Sequence, residues 1–170
     1  MQISVRRTIK EDAFRLAEIQ RAAFMPLYEL FQDKGNPALR GPEDIVNRLG
    51  FDRFKYFTIL VNDNIVGGVL FRTKGSGPFF AELRSGEYYL QRLYISPEYQ
   101  NMKIGRTAIK LCESQFENAT RFYVDFPDEL DQNRNCYESI GYKDTGVIKE
   151  VEPGLVLASY IKNVPKLVKI

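Results

Sequence analysis

A short segment in the second half of the chain restricts the fold more than any other feature of the sequence. Residues 93–97 read Leu-Tyr-Ile-Ser-Pro, and apolar residues begin to repeat at helical spacing from Ile104, next to Gly105. This pattern predicts a strand, a sharp turn and a helix start in immediate succession. A helix start exposes unpaired backbone N–H groups and a partial positive charge, so we expect this point of the chain to hold a pyrophosphate.

Strand and helix patterns alternate along the rest of the chain. Strand character is found at residues 3–8, 55–61, 65–72, 87–95 and 121–126 and in two terminal strands joined at Pro153 and Gly154, with a hairpin turn at residues 62–64. Helical periodicity follows residue 10, is ended or kinked by Pro26 and resumes at residues 28–31, and recurs at 42–49, 104–116 and 133–140. The order predicts an α/β (α+β) fold in a single domain, residues 1–170, with a mixed sheet and helices on both faces.

The charge balance and the hydropathy of the chain restrict its partners. Lys and Arg total 24 and Asp and Glu total 22, so the net charge of +2 gives no reason to expect nucleic acid or an anionic membrane as a partner. No stretch approaches the roughly 20 apolar residues that cross a bilayer, and the start of the chain lacks the apolar segment of a signal peptide. We therefore expect a cytoplasmic protein with a small-molecule partner.

The sequence contains no histidine, which restricts the chemistry. Ser-His-Asp and Cys-His schemes and most catalytic zinc sites are excluded, so no metal is expected, and proton transfer falls to Tyr, Asp, Glu, Lys, Cys or water. A mechanism that mainly positions two substrates makes the smallest demand on such groups. The two cysteines, Cys112 and Cys136, are too far apart for a CxxC pair and are interpreted as small core residues.

Two motifs resemble the GNAT superfamily of N-acetyltransferases. After the strand, family members carry Tyr-Gln-x-x-Gly-x-Gly, and residues 99–105 here read Tyr-Gln-Asn-Met-Lys-Ile-Gly. Downstream, members often carry Asn-x-x-x-Tyr-Glu-x-x-Gly-Phe, and residues 133–142 read Asn-Arg-Asn-Cys-Tyr-Glu-Ser-Ile-Gly-Tyr. One position departs, because Lys103 stands where the first glycine normally is; it either weakens coenzyme A binding or compensates by its charge.

The resemblance implies a mostly antiparallel sheet of six to seven strands and acetyl-CoA as co-substrate. In the family the fourth strand bends away from the fifth, and its unpaired backbone groups bind the pantetheine arm while the helix start binds the pyrophosphate. The cofactor-binding residues implied for this chain are Leu93, Tyr94, Ile95, Gln100, Asn101, Met102, Lys103, Ile104, Gly105, Arg106, Thr107 and Asn133.

The same resemblance suggests catalytic residues. Tyr137, from its place in the second motif, would protonate the departing thiolate, although without the motif it would read as a wall residue with its hydroxyl in water. Glu87 and Tyr89 lie about where some members place a carboxylate that deprotonates the amine through water. The alternative for Glu87 is a solvated charge at the strand edge, and for Tyr89 a packing residue.

The helix and loop that line acceptor pockets in the family supply weaker candidates for substrate binding. These are Tyr28, Phe31, Asp33 and Asn36, and for each the alternative is ordinary surface or core packing.

The leading hypothesis is therefore an N-acetyltransferase that moves an acetyl group from acetyl-CoA to a primary amine of a small molecule or peptide, by direct attack in a ternary complex. The alternative is a non-catalytic module that binds or senses acyl-CoA, and the third is a pure interaction domain without coenzyme A. The sequence leaves open the acceptor, the acyl chain length and the oligomeric state, with a homodimer among the states because dimers are frequent in the family.

Overall fold

A seven-stranded mixed sheet organises the molecule. The computed structural model describes residues 1–165, apart from the side chain of residue 80, so the last five positions of the expected 1–170 domain lie outside the described residues. The strands are β1 Ile3–Arg7, β2 Phe54–Val61, β3 Asn64–Arg72, β4 Glu87–Ile95, β5 Arg121–Pro127, β6 Lys143–Glu152 and β7 Leu155–Asn163.

The strand order is β1-β2-β3-β4-β5-β7-β6. Neighbouring strands run antiparallel except β4 and β5, which are parallel. The predicted mixed, mostly antiparallel sheet is thus confirmed. The hairpin turn between β2 and β3 is also confirmed: Asn62 and Asp63 have φ values of 48° and 68°, the left-handed backbone that a two-residue hairpin requires and that Asn and Asp tolerate.

Helices cover both faces of the sheet, as predicted. Helices α1 Ala13–Phe31 and α2 Pro42–Leu49 pack on one face around Leu16, Ile45 and Tyr56. Helices α3 Ile104–Glu113 and α4 Asp131–Ser139 belong to the other face, whose larger core includes Phe71 and Phe122. No helix of the described residues is long and apolar enough to span a membrane.

The sequence predicts either an end or a kink of the first helix at Pro26, and the structure rules out the end. The helix does not end there but runs on to Phe31. Proline removes one helical hydrogen bond, which leaves the carbonyl oxygen four residues earlier, at Ala22, without its usual donor. Both Pro26 and Ala22 are exposed, so that carbonyl is open to solvent and the helix can continue without a protein donor there.

Candidate active site

The two central strands separate where the site forms. Strands β4 and β5 pair only from Glu87 with Arg121 to Leu90 with Val124. Beyond this point the register of β4 against β3 shifts at Gln91, which bulges between Leu90 and Arg92. The buried side-chain oxygen of Gln91 is the one such atom in the described residues that lacks a hydrogen-bond partner. A gap in the sheet beside an unsatisfied buried acceptor is a place for a ligand.

The end of β4 turns backbone groups into this gap. The Ser96 N–H donates to Val66 on β3 at 2.7 Å. Alternate residues of an antiparallel strand bond to the same neighbour, so Tyr94 also faces β3, and the backbone groups of Leu93 and Ile95 point the other way, towards β5. The Tyr94 side chain is buried between the sheet and α1, with its hydroxyl 2.5 Å from that of Tyr56. Tyr94 therefore supports β4 rather than presenting its side chain to the gap.

Backbone N–H groups without acceptors precede α3. From Asn101 to Arg106 no backbone N–H donates to another group in the described part of the chain, whereas the Thr107 N–H reaches the Lys103 carbonyl at 3.4 Å. Asn101 and Lys103 have φ values of 64° and 62°, so left-handed residues interrupt the turn. Successive N–H groups in such a conformation form a concave nest that binds anions, here at a helix start. The arrangement fits a pyrophosphate.

The same geometry explains the departure at Lys103. The family motif has glycine where the backbone is left-handed, and Lys103 adopts that conformation at φ 62° and ψ 16° despite its side chain. At Gly105, by contrast, an added Cβ would lie 3.5 Å from Leu93 and 4.0 Å from Ile95, which are ordinary contacts. The fold itself therefore tolerates a side chain at Gly105, and only a ligand between α3 and β4 would exclude one.

The remaining cofactor candidates occupy the same end of the sheet. Gln100 donates its side-chain N–H to the Ile95 carbonyl at 2.9 Å, which ties the loop to the end of β4. Asn101 accepts a hydrogen bond from Gln132 on α4, which links the two sides of the gap. The Thr107 hydroxyl donates to the Lys103 carbonyl at 3.2 Å, so it stabilises the turn. Met102 is exposed and Ile104 is buried in the core.

Two polar side chains near the gap are available to a ligand. Arg106 is half-buried and forms no ion pair or hydrogen bond with the described residues. Its charge acts on Cys136 of α4, where burial nevertheless raises the thiol pKa above its usual range. Asn133, on the first turn of α4, is also half-buried, and its side chain has no described partner. Both groups can therefore serve phosphate or amide contacts.

Tyr137 lies on α4, on the face of the sheet that α3 and α4 cover. Its ring stacks on Phe126 with centroids 5.3 Å apart and meets Tyr142 edge-on at 5.7 Å. Only 7% of the residue is exposed, and the hydroxyl has no hydrogen-bond partner among the described residues. Burial, together with the charges of Cys136 and Asp125, raises the pKa of the phenol well above its usual value. Tyr137 is thus a fully protonated donor at neutral pH.

Glu87 and Tyr89 lie on the opposite face, and Glu87 is already engaged. One carboxylate oxygen of Glu87 accepts the Arg84 N–H at 2.8 Å, and the other accepts the Tyr123 hydroxyl at 2.8 Å. Arg121 approaches the same carboxylate at 3.9 Å. With 9% of the residue exposed, Glu87 is neither a solvated edge charge nor a base with an unused oxygen.

Tyr89 is hydrogen-bonded to Asp125, a residue that was not among the candidates from the sequence. Its hydroxyl donates to Asp125 Oδ1 at 2.6 Å, and both residues line a cavity of about 240 Å³. Burial raises the pKa of the Asp125 carboxyl, and the hydrogen bond from Tyr89 only partly offsets this effect. A signal existed in the sequence, because Asp125 is a lone acid within the apolar strand pattern of residues 121–126.

The four residues expected from the acceptor helix and loop have mostly local roles. Asn36 is buried; its side-chain oxygen accepts the Ala38 N–H at 2.8 Å and its amide donates to Asp33 at 3.1 Å. Tyr28 and Phe31 are half-buried on the last turns of α1. None of the four lines the cavity beside Asp125. Within the described residues, no group of three acidic or cysteine side chains could hold a metal ion.

A gap between parallel strands, with an anion nest at the adjoining helix start, is the site of an acyltransferase that binds coenzyme A. The family model described as acetyltransferase (GNAT) family matches residues 16–142, which is more than half of the chain. The chain therefore belongs to the GNAT acetyltransferase family, whose donor is acetyl-CoA. No curated protein matches the sequence.

Solved structures share the fold at low sequence identity. The N-acetyltransferase PaiA from Thermoplasma acidophilum, in complex with coenzyme A, is 17% identical with a TM-score of 0.69, over 96% of this chain and 100% of that one. AAC(6')-Ib with ribostamycin and coenzyme A is 13% identical with a TM-score of 0.75, over 96% and 94%. A chimera of spermidine N-acetyltransferase from Vibrio cholerae and hSSAT is 12% identical with a TM-score of 0.72, over 96% of each chain.

Proposed function

We propose that this chain transfers the acetyl group of acetyl-CoA to a primary amine by direct attack in a ternary complex. The observation that carries the proposal is the anion nest of residues 101–106 directly beside the gap between β4 and β5. Acetyl-CoA brings the thioester that the amine attacks and a thiolate that leaves. The residues of this chain bind the donor, orient it and move protons.

The cofactor-binding roles follow from the groups around the gap. The N–H groups before and at the start of α3 receive the pyrophosphate, and Lys103 and Arg106 add positive charge at the rim. The backbone groups of Leu93 and Ile95 bond the pantetheine amides in the manner of a neighbouring strand. Asn133 contacts the donor from the side of α4. The nest does not depend on glycine at position 103, because Lys103 already has the required conformation.

Tyr137 is proposed as the acid that protonates the departing thiolate. Its ring is fixed between Phe126 and Tyr142, and its hydroxyl has no described partner to compete for the proton. Burial disfavours the phenolate that Tyr137 would become, but it also disfavours a thiolate beside the ring. The two effects oppose each other, so burial does not by itself prevent proton transfer from Tyr137 to sulfur. A tyrosine in this position donates most strongly when charge develops on sulfur.

The acceptor is a small molecule or a peptide with a primary amine, and relatives with the same fold were solved as a ribostamycin complex and as a spermidine N-acetyltransferase. Incubation with acetyl-CoA and a panel of amines, peptides and aminoglycosides should release free thiol in proportion to acetylated product. Calorimetry with coenzyme A supplies the control. If coenzyme A binds but acetyl-CoA is not consumed with any member of the panel, the chain is a non-catalytic module that senses acyl-CoA. If coenzyme A does not bind, the proposed cofactor site is wrong.

Two further expectations stay predictions. A homodimer is measurable by light scattering on the purified chain, and a cytoplasmic location by fractionation of expressing cells.

A further inference from the structure

The cavity beside Asp125 opens on the face of the sheet that lies opposite Tyr137. Val124 and Phe126 of β5 belong to the core under α3 and α4, and side chains alternate along a strand, so Asp125 points to the other face. Tyr137 stacks on Phe126 and therefore lies on the α4 side. The two residues are close enough that the charge of Asp125 raises the pKa of Tyr137. An acid and a carboxylate thus stand on opposite sides of one gap.

The cavity combines one carboxylate with two cations. Besides Tyr89 and Asp125, its lining includes Arg72 from β3 and Lys149 from β6. Arg72 is half-buried, donates to the Lys74 carbonyl at 3.0 Å and lies over Phe54, but forms no ion pair with a carboxylate of the described residues. Asp125 lies on β5, between the strands that carry these two cations, and it is the one carboxylate that the described residues contribute to the lining of the cavity. An ammonium held at Asp125 therefore has a positive side chain to either side, which an anionic group on the same ligand would offset.

We propose that this cavity binds a small amine that also carries an anionic group, with the ammonium at Asp125 and the anionic group at Arg72 and Lys149. The proposal rests on the proposed function and names its acceptor class. The carboxylate and the cations would hold opposite ends of one zwitterion, which neither a purely cationic amine nor a neutral one satisfies. A volume of about 240 Å³ lies below the roughly 300–1,000 Å³ of ordinary ligand sites, which suits a small acceptor.

The geometry also assigns Asp125 the role of base. Tyr89 donates to Oδ1, and the Asp125 backbone N–H also interacts with the carboxylate, but Oδ2 accepts from no side chain of the described residues. Asp125 takes one proton from the ammonium, the nitrogen forms a bond to the acetyl carbon, the carbon–sulfur bond breaks, and Tyr137 gives its proton to sulfur. The second proton of the amine returns through solvent to Tyr137. The sum is one acetylated amine, one thiol and one proton released from Asp125.

Asp125 has the chemical character that this role requires. Burial raises the pKa of the Asp125 carboxyl towards neutral pH. The carboxylate is therefore a better proton acceptor than that of a solvated aspartate. The titratable or charged groups around it are Tyr89 on β4, Arg72 on β3, Lys149 on β6 and Tyr137 on α4. Phe79, which also lines the cavity, has a left-handed φ of 55°, a strained conformation that is frequent at ligand sites.

The first experiment compares matched amines that differ only in the anionic group. Pairs such as 4-aminobutanoate and butylamine, or phenylalanine and phenethylamine, are titrated into the protein saturated with coenzyme A and are also assayed for turnover with acetyl-CoA. The proposal expects the zwitterion of at least one pair to bind and react on the order of 10- to 100-fold better, the size of a charge-assisted hydrogen bond. Equal or better binding by the decarboxylated members, or by spermidine, would overturn it.

Charge-removing variants then test the two cations. Lys149→Gln and Arg72→Gln should each reduce the preference for the zwitterion by roughly tenfold while coenzyme A binding stays unchanged. Lys143→Gln, on the same strand but outside the cavity, and Arg53→Gln, which also lies over Phe54, are the matched controls. If the cavity variants behave like their controls, the anionic group is not held there.

Asp125→Asn tests the base, with Asp63→Asn in the exposed β2–β3 turn as control. The variant should lower kcat/KM by about 10² to 10⁴ and abolish the limb of the pH profile that rises with Asp125 ionisation. Tyr89→Phe should shift that limb to higher pH, because the lost hydrogen bond normally favours the carboxylate. An unchanged profile in Asp125→Asn would exclude it as base.

Failure of this inference is distinguishable from failure of the proposed function. If a zwitterionic amine binds but acetyl-CoA is not consumed, the cavity assignment stands and the transferase is wrong. If acetyl-CoA is consumed with cationic amines alone, the transferase stands and the cavity assignment is wrong. If no amine of either kind binds the complex with coenzyme A, the acceptor class proposed here is overturned whatever the cofactor does.

Discussion

Replacing Lys103 by glycine separates the shape of the proposed pyrophosphate site from its charge. Lys103 has φ 62° and ψ 16° immediately before α3, where a residue with a Cβ is strained. Glycine relieves this strain, worth about 1–2 kcal/mol, but it also makes the unfolded chain more flexible, at about 0.4–1 kcal/mol. The net effect expected for Lys103→Gly is a gain of about 0.5–1 kcal/mol in the free energy of unfolding.

Thermal unfolding measures this gain. For a chain of 170 residues, 1 kcal/mol corresponds to about 2–4 °C, so Tm should rise by about 1–4 °C. Lys103→Ala is the control, because alanine removes the charge and keeps the strain; its Tm should stay near that of the parent. A glycine variant less stable than the alanine variant would show that the backbone at this position is not left-handed.

Coenzyme A binding by the same two variants measures the charge. Lys103 is exposed, and one exposed charge pair is worth about 0.2–1 kcal/mol, so both variants should bind about 1.4- to fivefold more weakly. Calorimetry at low and high salt checks this, since the difference from the parent should shrink as salt rises. A large loss in the glycine variant alone would refute the view that Lys103 merely adopts the glycine conformation.

Three further predictions concern the donor site and the fold. Tyr137→Phe removes the hydroxyl and keeps the ring between Phe126 and Tyr142, so it should lower kcat by roughly 10- to 10⁴-fold and leave coenzyme A affinity unchanged. A variant with the same kcat as the parent, measured where chemistry limits turnover, would exclude Tyr137 as the acid. Gly105→Ala should fold normally because its Cβ makes ordinary contacts. Gly105→Asp should bind coenzyme A more than about tenfold more weakly, because the side chain is bulky and its carboxylate repels the pyrophosphate. If calorimetry shows that this variant binds coenzyme A as tightly as the parent, the proposed site is wrong. Asp12 is buried, which opposes ionisation, but hydrogen bonds from Arg6, the Ile9 N–H and Thr58 outweigh burial and lower its pKa. Its contribution to stability is therefore present above the ordinary pKa of about 3.9 and lost as pH falls through the folded value. Asp12→Asn should cost about 2–3 kcal/mol in urea unfolding at pH 7 and progressively less as pH falls below about 3.9, and a cost that does not change with pH would contradict the linkage.

Local sequence patterns were sufficient for most of the secondary structure. The strand, turn and helix around Gly105, the hairpin turn at Asn62 and Asp63, and the helix at Pro42–Leu49 all follow from propensities that act over a few residues. Pro26 was left open by the sequence, which allowed either an end or a kink at a point where the helix in fact continues. Whether proline ends a helix depends on what satisfies the released carbonyl, and that depends on exposure in the folded chain.

The sequence by itself determined the class of the protein, through two motifs whose spacing is read along the chain, and its absence of histidine excluded whole families of mechanism. Only the tertiary structure decided which polar residues meet. Glu87 and Asp125 are both acids within strand patterns of the sequence. A local turn ties one oxygen of Glu87 to the Arg84 N–H, whereas the pairing of β4 with β5 brings Tyr123 to the other oxygen and leaves Asp125 beside a cavity opposite Tyr137. Register between strands that are distant along the chain, and the point where they separate, are set by packing of the whole sheet. No window of neighbouring residues contains that information.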